Sequence, residues 1–489
     1  MSFDFSGINN DKSLRFVFDF SVIVNIASDS QLTEIRDYIL ENDAALCVAA
    51  AFYEDAKVVT KSSNSEQRRI MDSVVSFINE LSAKNKHFFY RNVYNSKEIV
   101  SKLSNSANVI FLYARDSSFA MDVCSYDGEL KCSACIVNKN GEIELFTDRE
   151  DIIKNSVSQI DKSVIDDTYY DIKFEPEENA VLCTRDGKEY VLDKLIASGG
   201  EGVVYSIKDN KADVIKIYHK GQLNKLRLQK MLLMEKKQID YEGICWPRQI
   251  VFSEQKQPVG FVMKRMNGKS TDFVFDGVDS LISHFPDITR KDVIEICIDI
   301  VSKIHYLHLF GIIIGDIRTK NIMINKDKKV SLVDLDSCQI HEYPCPAGFP
   351  DFTPAELHRV KLLERLRTFD NESFAISVLM FKILFCGIHP YDRINGADTI
   401  EEEISLKSFP YLLGKSADLS GIPVGIYTNL WKTTPYQFQE FLHFIFKKGV
   451  RFSDIEIIMM LKTYAEFLDI NMDSSHLNSF KYANKRSFS

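Results

Sequence analysis

The segment Ile196-Ala-Ser-Gly-Gly-Glu-Gly-Val-Val-Tyr205 sets Gly199, Gly200 and Gly202 in a turn between two β-prone runs. Residues 191–215 around it are strand-rich, whereas helical patterns dominate from Lys291 onward. A chain ordered this way predicts a glycine-turned sheet followed by a larger helical body. Glycine has no Cβ, so its backbone N–H groups can approach phosphate oxygens closely. Alone, such a hairpin is more often just a turn. The next strand, however, ends in Val214-Ile215-Lys216, which places a cation within reach of those phosphates.

The most informative stretch is Ile313-Ile-Gly-Asp-Ile-Arg-Thr-Lys-Asn321, followed by Val333-Asp-Leu-Asp336. Asp316, then Asn321 five positions on, then Asp334 at the end of a later strand supply a proton acceptor and two metal ligands. Phosphoryl transfer needs these groups around Mg-ATP. Each piece alone is ordinary loop chemistry; their joint order and spacing argue against chance.

On these residues, 181 to about 465 resemble a protein kinase domain of the Ser/Thr type. Pro354-Ala-Glu356 resembles the Ala-Pro-Glu motif, and Asp370-Asn-Glu-Ser-Phe-Ala-Ile376 the start of the large central helix of the C-lobe. Ile217-Tyr-His-Lys220, Gly260-Phe-Val-Met263 and Phe352-Thr-Pro-Ala-Glu356 narrow the match to a branch of bacterial kinases sometimes fused to helix-hairpin-helix modules, a pattern not found here. The resemblance implies an α+β bilobal domain, with an N-lobe at 181–266, a C-lobe at 267–470 and a tail at 471–489.

The resemblance also implies roles. Asp316 would accept the substrate hydroxyl proton, Asn321 and Asp334 would hold Mg²⁺, and Lys216 would contact the α- and β-phosphates of ATP. Val204 and the three loop glycines would cover the nucleotide. Met263 would be the gatekeeper, with Met266 in the adenine hinge. Glu235 is the helix glutamate expected to pair with Lys216, and Glu356 is expected to pair with Arg451. Four departures stand out: Ala197 for the first loop glycine, Ile314-Gly315 for the usual His-Arg, Arg318 for a Lys that contacts the transferred phosphate, and Asp336 for the last glycine of Asp-Phe-Gly. The ATP-handling set is otherwise complete, so an active protein kinase acting on a protein substrate is expected.

Residues 14–147 alternate strand and helix patterns, as an α/β layer with a mostly parallel sheet does. Strands are expected at 14–25, 87–91 and 108–113, an apolar run at 44–51, and helices at 31–41, 65–83 and 96–103. The 65–83 helix would face inward through Ile70, Val74, Val75, Ile78 and Leu81. A hairpin at 135–137 and 143–146 turns on Asn140-Gly141. Asp19, Glu54, Asp116 and Asp122 follow apolar runs, and acids at the C-terminal ends of parallel strands converge on one sheet edge. This pattern resembles PIN-like nuclease domains over 14–147. It implies a site for Mg²⁺ or Mn²⁺ and RNA as a substrate, with Glu98 as a further acid. A von Willebrand-type metal site is disfavoured by Ile23. The alternatives to a kinase with a PIN-like partner module are an RNase governed by a nucleotide-binding kinase-like domain and a non-catalytic scaffold.

Charge divides the chain further. The formal net charge is -9, yet residues 1–150 hold 16 basic and 22 acidic side chains and residues 151–180 hold 3 and 8. The remainder is close to neutral, which excludes nucleic-acid binding through a broad basic surface. Residues 148–180 are acidic and aperiodic and read as a linker. Ten cysteines are too scattered for a disulfide scaffold, and Cys132 and Cys135 lack a second pair at zinc-ribbon spacing. No run approaches the roughly 18 apolar residues of a membrane span, and the N-terminus lacks a signal-peptide pattern, so a cytoplasmic location is expected.

Overall fold

A computed structural model describes residues 12–26, 29–61, 65–93, 95–113, 125–126, 129–130, 132–137, 141–147 and 166–470. The N-terminal part runs β1 (Leu14–Phe18), α1 (Ser21–Asn25), α2 (Asp29–Glu41), β2 (Ala44–Ala49), α3 (Ala50–Thr60), α4 (Ser65–Ala83), β3 (His87–Tyr90), α5 (Ser96–Leu103), β4 (Asn108–Tyr113), β5 (Ser133–Val137) and β6 (Ile143–Phe146). Its sheet has the order β3-β2-β1-β4-β5-β6, parallel except for the final β5–β6 hairpin. Side chains alternate across β1: Leu14, Phe16 and Phe18 pack on one face, and Val17 on the other with Ile99 and Val100 of α5.

Two expectations change here. The strand at 14–25 ends at Phe18, because the Asp19 carboxylate accepts hydrogen bonds from the Ser21 N–H and hydroxyl and turns the chain into α1. The inward face of α4 is offset from the one expected: Met71, Val74, Phe77 and Leu81 are buried, while Val75 is 53% exposed. The 166–180 portion of the expected linker lies along the next domain. Ile172 is buried there, and the Lys225 and Leu226 N–H groups donate to Thr168 and Asp166 carbonyls.

The second domain begins with a six-stranded closed barrel formed by β7 (Val181–Thr184), β8 (Glu189–Ser198), β9 (Gly202–Ile207), β10 (Asn210–Tyr218), β11 (Gln249–Phe252) and β12 (Pro258–Lys264), in the order β8-β9-β10-β12-β11-β7. Helix α6 (Lys225–Lys237) packs beside it. The helical lobe that follows is built around α7 (Arg290–Leu309), α8 (Phe369–Leu384) and α9 (Asp454–Ile470), with a small hairpin of β13 (Ile322–Ile324) and β14 (Val330–Leu332) near the site. Helix α8 starts at a reciprocal Thr368–Asn371 capping box and is apolar nearly all round, so it is enclosed rather than half-exposed. Phe381 and Phe385 stack at 4.2 Å and meet Tyr411 edge-on.

The two domains share one apolar core. Phe20, Val22 and Phe52 belong to the same buried cluster as Ile304 and Leu309 of α7. Asn25 Nδ2 donates to the Leu309 carbonyl at 2.7 Å, and Glu54 on α3 pairs with Lys462 on α9 at 3.0 Å. Within this contact His305 and His308 of α7 lie among Asp55 of α3, Asp454 of α9 and Glu372 of α8, all at 6% exposure or less. Both nitrogens of each ring face a carboxylate, which requires two N–H donors per ring and therefore the protonated form. Burial alone would push the His308 imidazole down, but Asp454 and Glu372 outweigh it and raise it to about 9. His305 is raised in the same way against its burial by Asp55 and Asp454.

A histidine raised when folded contributes stability fully below its unfolded value near 6.5, and that stability is lost as pH rises through the folded value. Thermal melting of the chain is therefore expected to weaken between pH 6.5 and 9, and His308→Gln should flatten that slope. A wild-type melting temperature constant across this window would refute the charged assignment.

Candidate active site

Strand β10 delivers Lys216 into the cleft between barrel and helical lobe, where it is 7% exposed. Val204 of β9 pairs directly with it across the sheet. Gly260 of β12 makes this packing possible, since a Cβ there would lie 1.9 Å from the Lys216 carbonyl oxygen. Gly202 meets a similar restriction, 2.3 Å from the Ile217 carbonyl, whereas a Cβ on Gly200 would meet open space. The loop between β8 and β9 closes through the Gly199 N–H donating to the Gly202 carbonyl at 2.9 Å.

Lys216 Nζ donates to Asp334 Oδ1 at 2.6 Å and to Asp336 Oδ1 at 2.7 Å, with Glu201 Oε2 of the glycine loop at 3.7 Å. Burial would lower the ammonium, but Asp336 and Asp334 hold it above the ordinary lysine range. Asp336 is fully buried; desolvation would raise its carboxyl, yet Lys216 and Arg227 keep it well below the usual carboxylate range. Tyr218 also donates to Asp336, at 2.6 Å. Asp334 takes the left-handed conformation, φ 60° and ψ 44°, which short acidic side chains tolerate and which turns its carboxylate toward Lys216.

Across the cleft, Asn321 Nδ2 donates to the Asp316 carbonyl at 2.9 Å and to its Oδ2 at 3.0 Å, and Arg318 Nη2 lies 3.0 Å from the same Oδ2. The segment before Asp316 is held from beneath. Glu372 accepts the Ile314 N–H at 3.0 Å and the Gly315 N–H at 2.6 Å. Gly315 adopts φ +75°, and a Cβ there would strike Arg367 and Cys345, which accounts for glycine at this position. Arg367 bridges the Gly315 and Ala347 carbonyls.

A family model described as protein kinase domain matches residues 190–451, more than half the chain. The chain belongs to the protein kinase family. Among its relatives, Protein kinase YegI of Escherichia coli (strain K12) is 26% identical over 247 residues, covering 48% of this chain and 38% of YegI. Probable serine/threonine-protein kinase irlC of Dictyostelium discoideum is 30% identical over 105 residues, covering 20% of this chain and 7% of that protein. The chain thus spans well under half the length of the curated relatives it matches. A protein kinase domain generally uses ATP and a divalent metal. No helix among the described residues is long and apolar enough to cross a membrane.

Within the kinase domain one site assignment is corrected. Glu235 of α6 does not face Lys216; its carboxylate accepts the Ile250 N–H at 3.2 Å. Helix α6 instead reaches the site through Arg227, paired with Glu201 at 2.7 Å, and through buried Lys230, which donates to the Ser337 and Pro344 carbonyls. Glu201, Arg227, Tyr218, Arg367 and Glu372 were not singled out as site residues from the sequence. Of these, Glu201 carries a signal in its place inside the glycine loop, and Tyr218 and Glu372 lie in segments that carry the family resemblance, whereas Arg227 and Arg367 carry none. Met263 lies on β12 in register with Val214, and Met266 follows the end of that strand, both half-buried. Glu356 lies 3.6 Å from Arg451 and accepts from Asn371 at 3.0 Å.

The acids of the N-terminal domain are less gathered. Asp19 follows the last residue of β1, its N–H donating to the Leu112 carbonyl of β4 at 2.9 Å. Glu54 departs from its expected place as a metal ligand: it forms ion pairs with Lys57 at 2.6 Å and Lys462 at 3.0 Å. Glu98 is exposed on the first turn of α5. Asp116 and Asp122 lie outside the described residues. Cys132 and Cys135 are buried thiols. Among the described residues, the one group of three metal-capable side chains with ligand atoms within 4.8 Å is Glu201, Asp334 and Asp336. Such an all-oxygen set suits a hard divalent cation such as Mg²⁺.

Because Asp336 rather than Glu235 faces Lys216, Asp336→Asn is expected to raise KM for ATP roughly 10-fold or more, the scale of losing one charge partner of a buried pair. Glu235→Gln should leave it unchanged. Steady-state kinetics on the two variants decide between them, and the reverse order would restore the helix glutamate.

Proposed function

We propose that the chain is an ATP-dependent Ser/Thr protein kinase whose kinase domain covers 181–470, with the segment from 166 laid against its N-lobe, and whose N-terminal domain, about 1–147, is a PIN-like partner module. The observation that carries the proposal is that Lys216 pairs with Asp334, Asn321 with Asp316, and the Val333 N–H beside Asp334 donates to the Asn321 carbonyl at 3.0 Å, joining the two pairs. In this reading Lys216 holds the α- and β-phosphates, and Gly199, Gly200, Gly202 and Val204 cover them. Met263 and Met266 border the adenine. Asn321 and Asp334 would hold Mg²⁺, which when bound would offset charge on the transferred phosphoryl group. Asp316 accepts the proton of the substrate hydroxyl as its oxygen bonds to the γ-phosphorus and the bridging oxygen leaves with ADP. Arg318, beside Asp316, meets the phosphoryl oxygens. The absence of an Arg immediately before Asp316 removes the usual docking point for a phosphorylated loop, so the kinase works without that switch.

The N-terminal domain acts as a docking module in this account. Glu54 is committed to lysines, one of them on α9, and the domain's apolar face is shared with the C-lobe. Of the acids behind the nuclease reading, Asp19 accepts from Ser21 and Glu54 is paired with lysines, while Asp116 and Asp122 lie outside the described residues.

Incubation with Mg-ATP and a protein acceptor should transfer phosphate to Ser or Thr, and Asp316→Ala or Asp334→Ala should reduce the rate by roughly 100-fold or more. Asp19→Asn should leave the rate unchanged. Phosphoryl transfer that survives both kinase-domain substitutions would refute the assignment.

A further inference from the structure

We propose that the N-terminal domain holds the catalytic loop in place through a buried chain of five side chains, Asp55, His305, Asp454, His308 and Glu372. His305, His308 and Asp454 are thereby positioning residues for phosphoryl transfer. The proposal rests on the reading of Asp316 as the proton acceptor.

The chain starts outside the kinase domain. Asp55 Oδ1 on α3 accepts from His305 Nε2 at 2.7 Å. His305 Nδ1 then meets Asp454 Oδ2 at 2.9 Å, and His308 Nδ1 meets the same oxygen at 2.7 Å. His308 Nε2 continues to Glu372 Oε2 at 2.6 Å. The Glu372 carboxylate in turn accepts the N–H groups of Ile314 and Gly315, the two residues before Asp316. No member is more than 6% exposed, so water cannot substitute for a lost partner without the packing opening.

Three features make this a linkage rather than a set of separate contacts. Asp454 offers one oxygen to both rings, so moving either imidazole changes the acceptor of the other. His305 and His308 lie on one face of α7, three positions apart, and cannot shift independently of that helix. Glu372 divides its two oxygens among one ring and two backbone amides, so reorienting it to follow His308 would release Ile314 or Gly315. Gly315 has φ +75° and no side chain to anchor it, so its own position depends on Glu372 and Arg367, while Asn321 holds Asp316 from the other side. Displacement of a reacting group by about 1 Å costs up to roughly 100-fold in rate.

The test compares the full chain with Asp55→Asn, His305→Gln and, as a control, Asn25→Ala. The control loses an interdomain hydrogen bond to Leu309 outside the chain. Two readouts are taken: amide hydrogen exchange of the peptide covering residues 313–317, and kcat and KM for ATP with casein as acceptor. The linkage predicts faster exchange at Ile314 and Gly315 in both chain variants. It also predicts a kcat lowered roughly 10-fold at unchanged KM for ATP, because ATP is held by other residues. Asn25→Ala should behave as wild type in both readouts. Wild-type exchange and kcat in both chain variants, with only a lowered melting temperature, would reduce the chain to a rivet between domains and overturn the proposal. A wild-type chain that turns over no acceptor refutes the kinase reading instead, while the exchange comparison still decides the linkage.

Discussion

A lysine ammonium at 7% exposure in the cleft between two lobes cannot stay charged without partners. Removing such an ion from water costs several kcal/mol, and breaking a buried pair by deleting one member costs roughly 3–5 kcal/mol. Lys216 is satisfied from the opposite lobe, by Asp334 and Asp336 in the turn that follows β14. Much of the surrounding structure serves that meeting. Gly260 lets β12 lie close against Lys216, Asp334 adopts a left-handed backbone, and Tyr218 and Arg227 satisfy and offset the buried Asp336. The cleft is therefore set by charge pairing across lobes as much as by apolar packing. The same pairing leaves Glu201, Asp334 and Asp336 together with one more negative charge than Lys216 and Arg227 neutralise, a condition that favours a divalent cation.

The parts of this arrangement that were legible in the sequence are those whose spacing is local. Asp316 and Asn321 are five residues apart on one loop, and their side chains meet because the loop is short. Lys216 was legible because it ends a strand directly after a glycine turn. The partner of Lys216 was not, because it is chosen by tertiary contact over 120 residues. The helix glutamate expected from the family lies on α6 at Glu235, whose orientation toward Ile250 depends on how that helix packs on the barrel. Asp336 stands out in the sequence as a departure from glycine, but its burial against Lys216 is decided by tertiary contact. Glu372 and His308 were illegible for the same reason, being joined to the catalytic loop only through the packing of α7 and α8.

In the N-terminal domain the alternation of apolar runs gave the elements well, and the 65–83 and 96–103 helices match α4 and α5 at both ends. Helix α3 (Ala50–Thr60) is not among them, since only an apolar run at 44–51 is expected there, and two local details escape it as well. Asp19 ends β1 early because a carboxylate capturing the next turn competes with the sheet ladder. Val75 lies next to a buried position yet points outward, since one residue rotates a helix by about 100°. The larger surprise is the continuity of core and charge between the domains. The acidity of residues 1–150 is not only a solvated surface, because Glu54 and Asp55 are spent on contacts with α9 and α7. The acidic first domain and the near-neutral kinase domain are in this respect complementary.

The central claim is that the charge cluster around Lys216 is built to receive ATP with a divalent cation. Thermal melting of the full chain with ATP, with and without Mg²⁺, tests it most directly, since a ligand at 100 times its Kd stabilises the folded state by about 2.7 kcal/mol. The account predicts a clear rise in melting temperature with Mg-ATP, larger than with ATP alone and absent in Lys216→Met. A melting temperature unmoved by Mg-ATP, or raised equally in Lys216→Met, would contradict it.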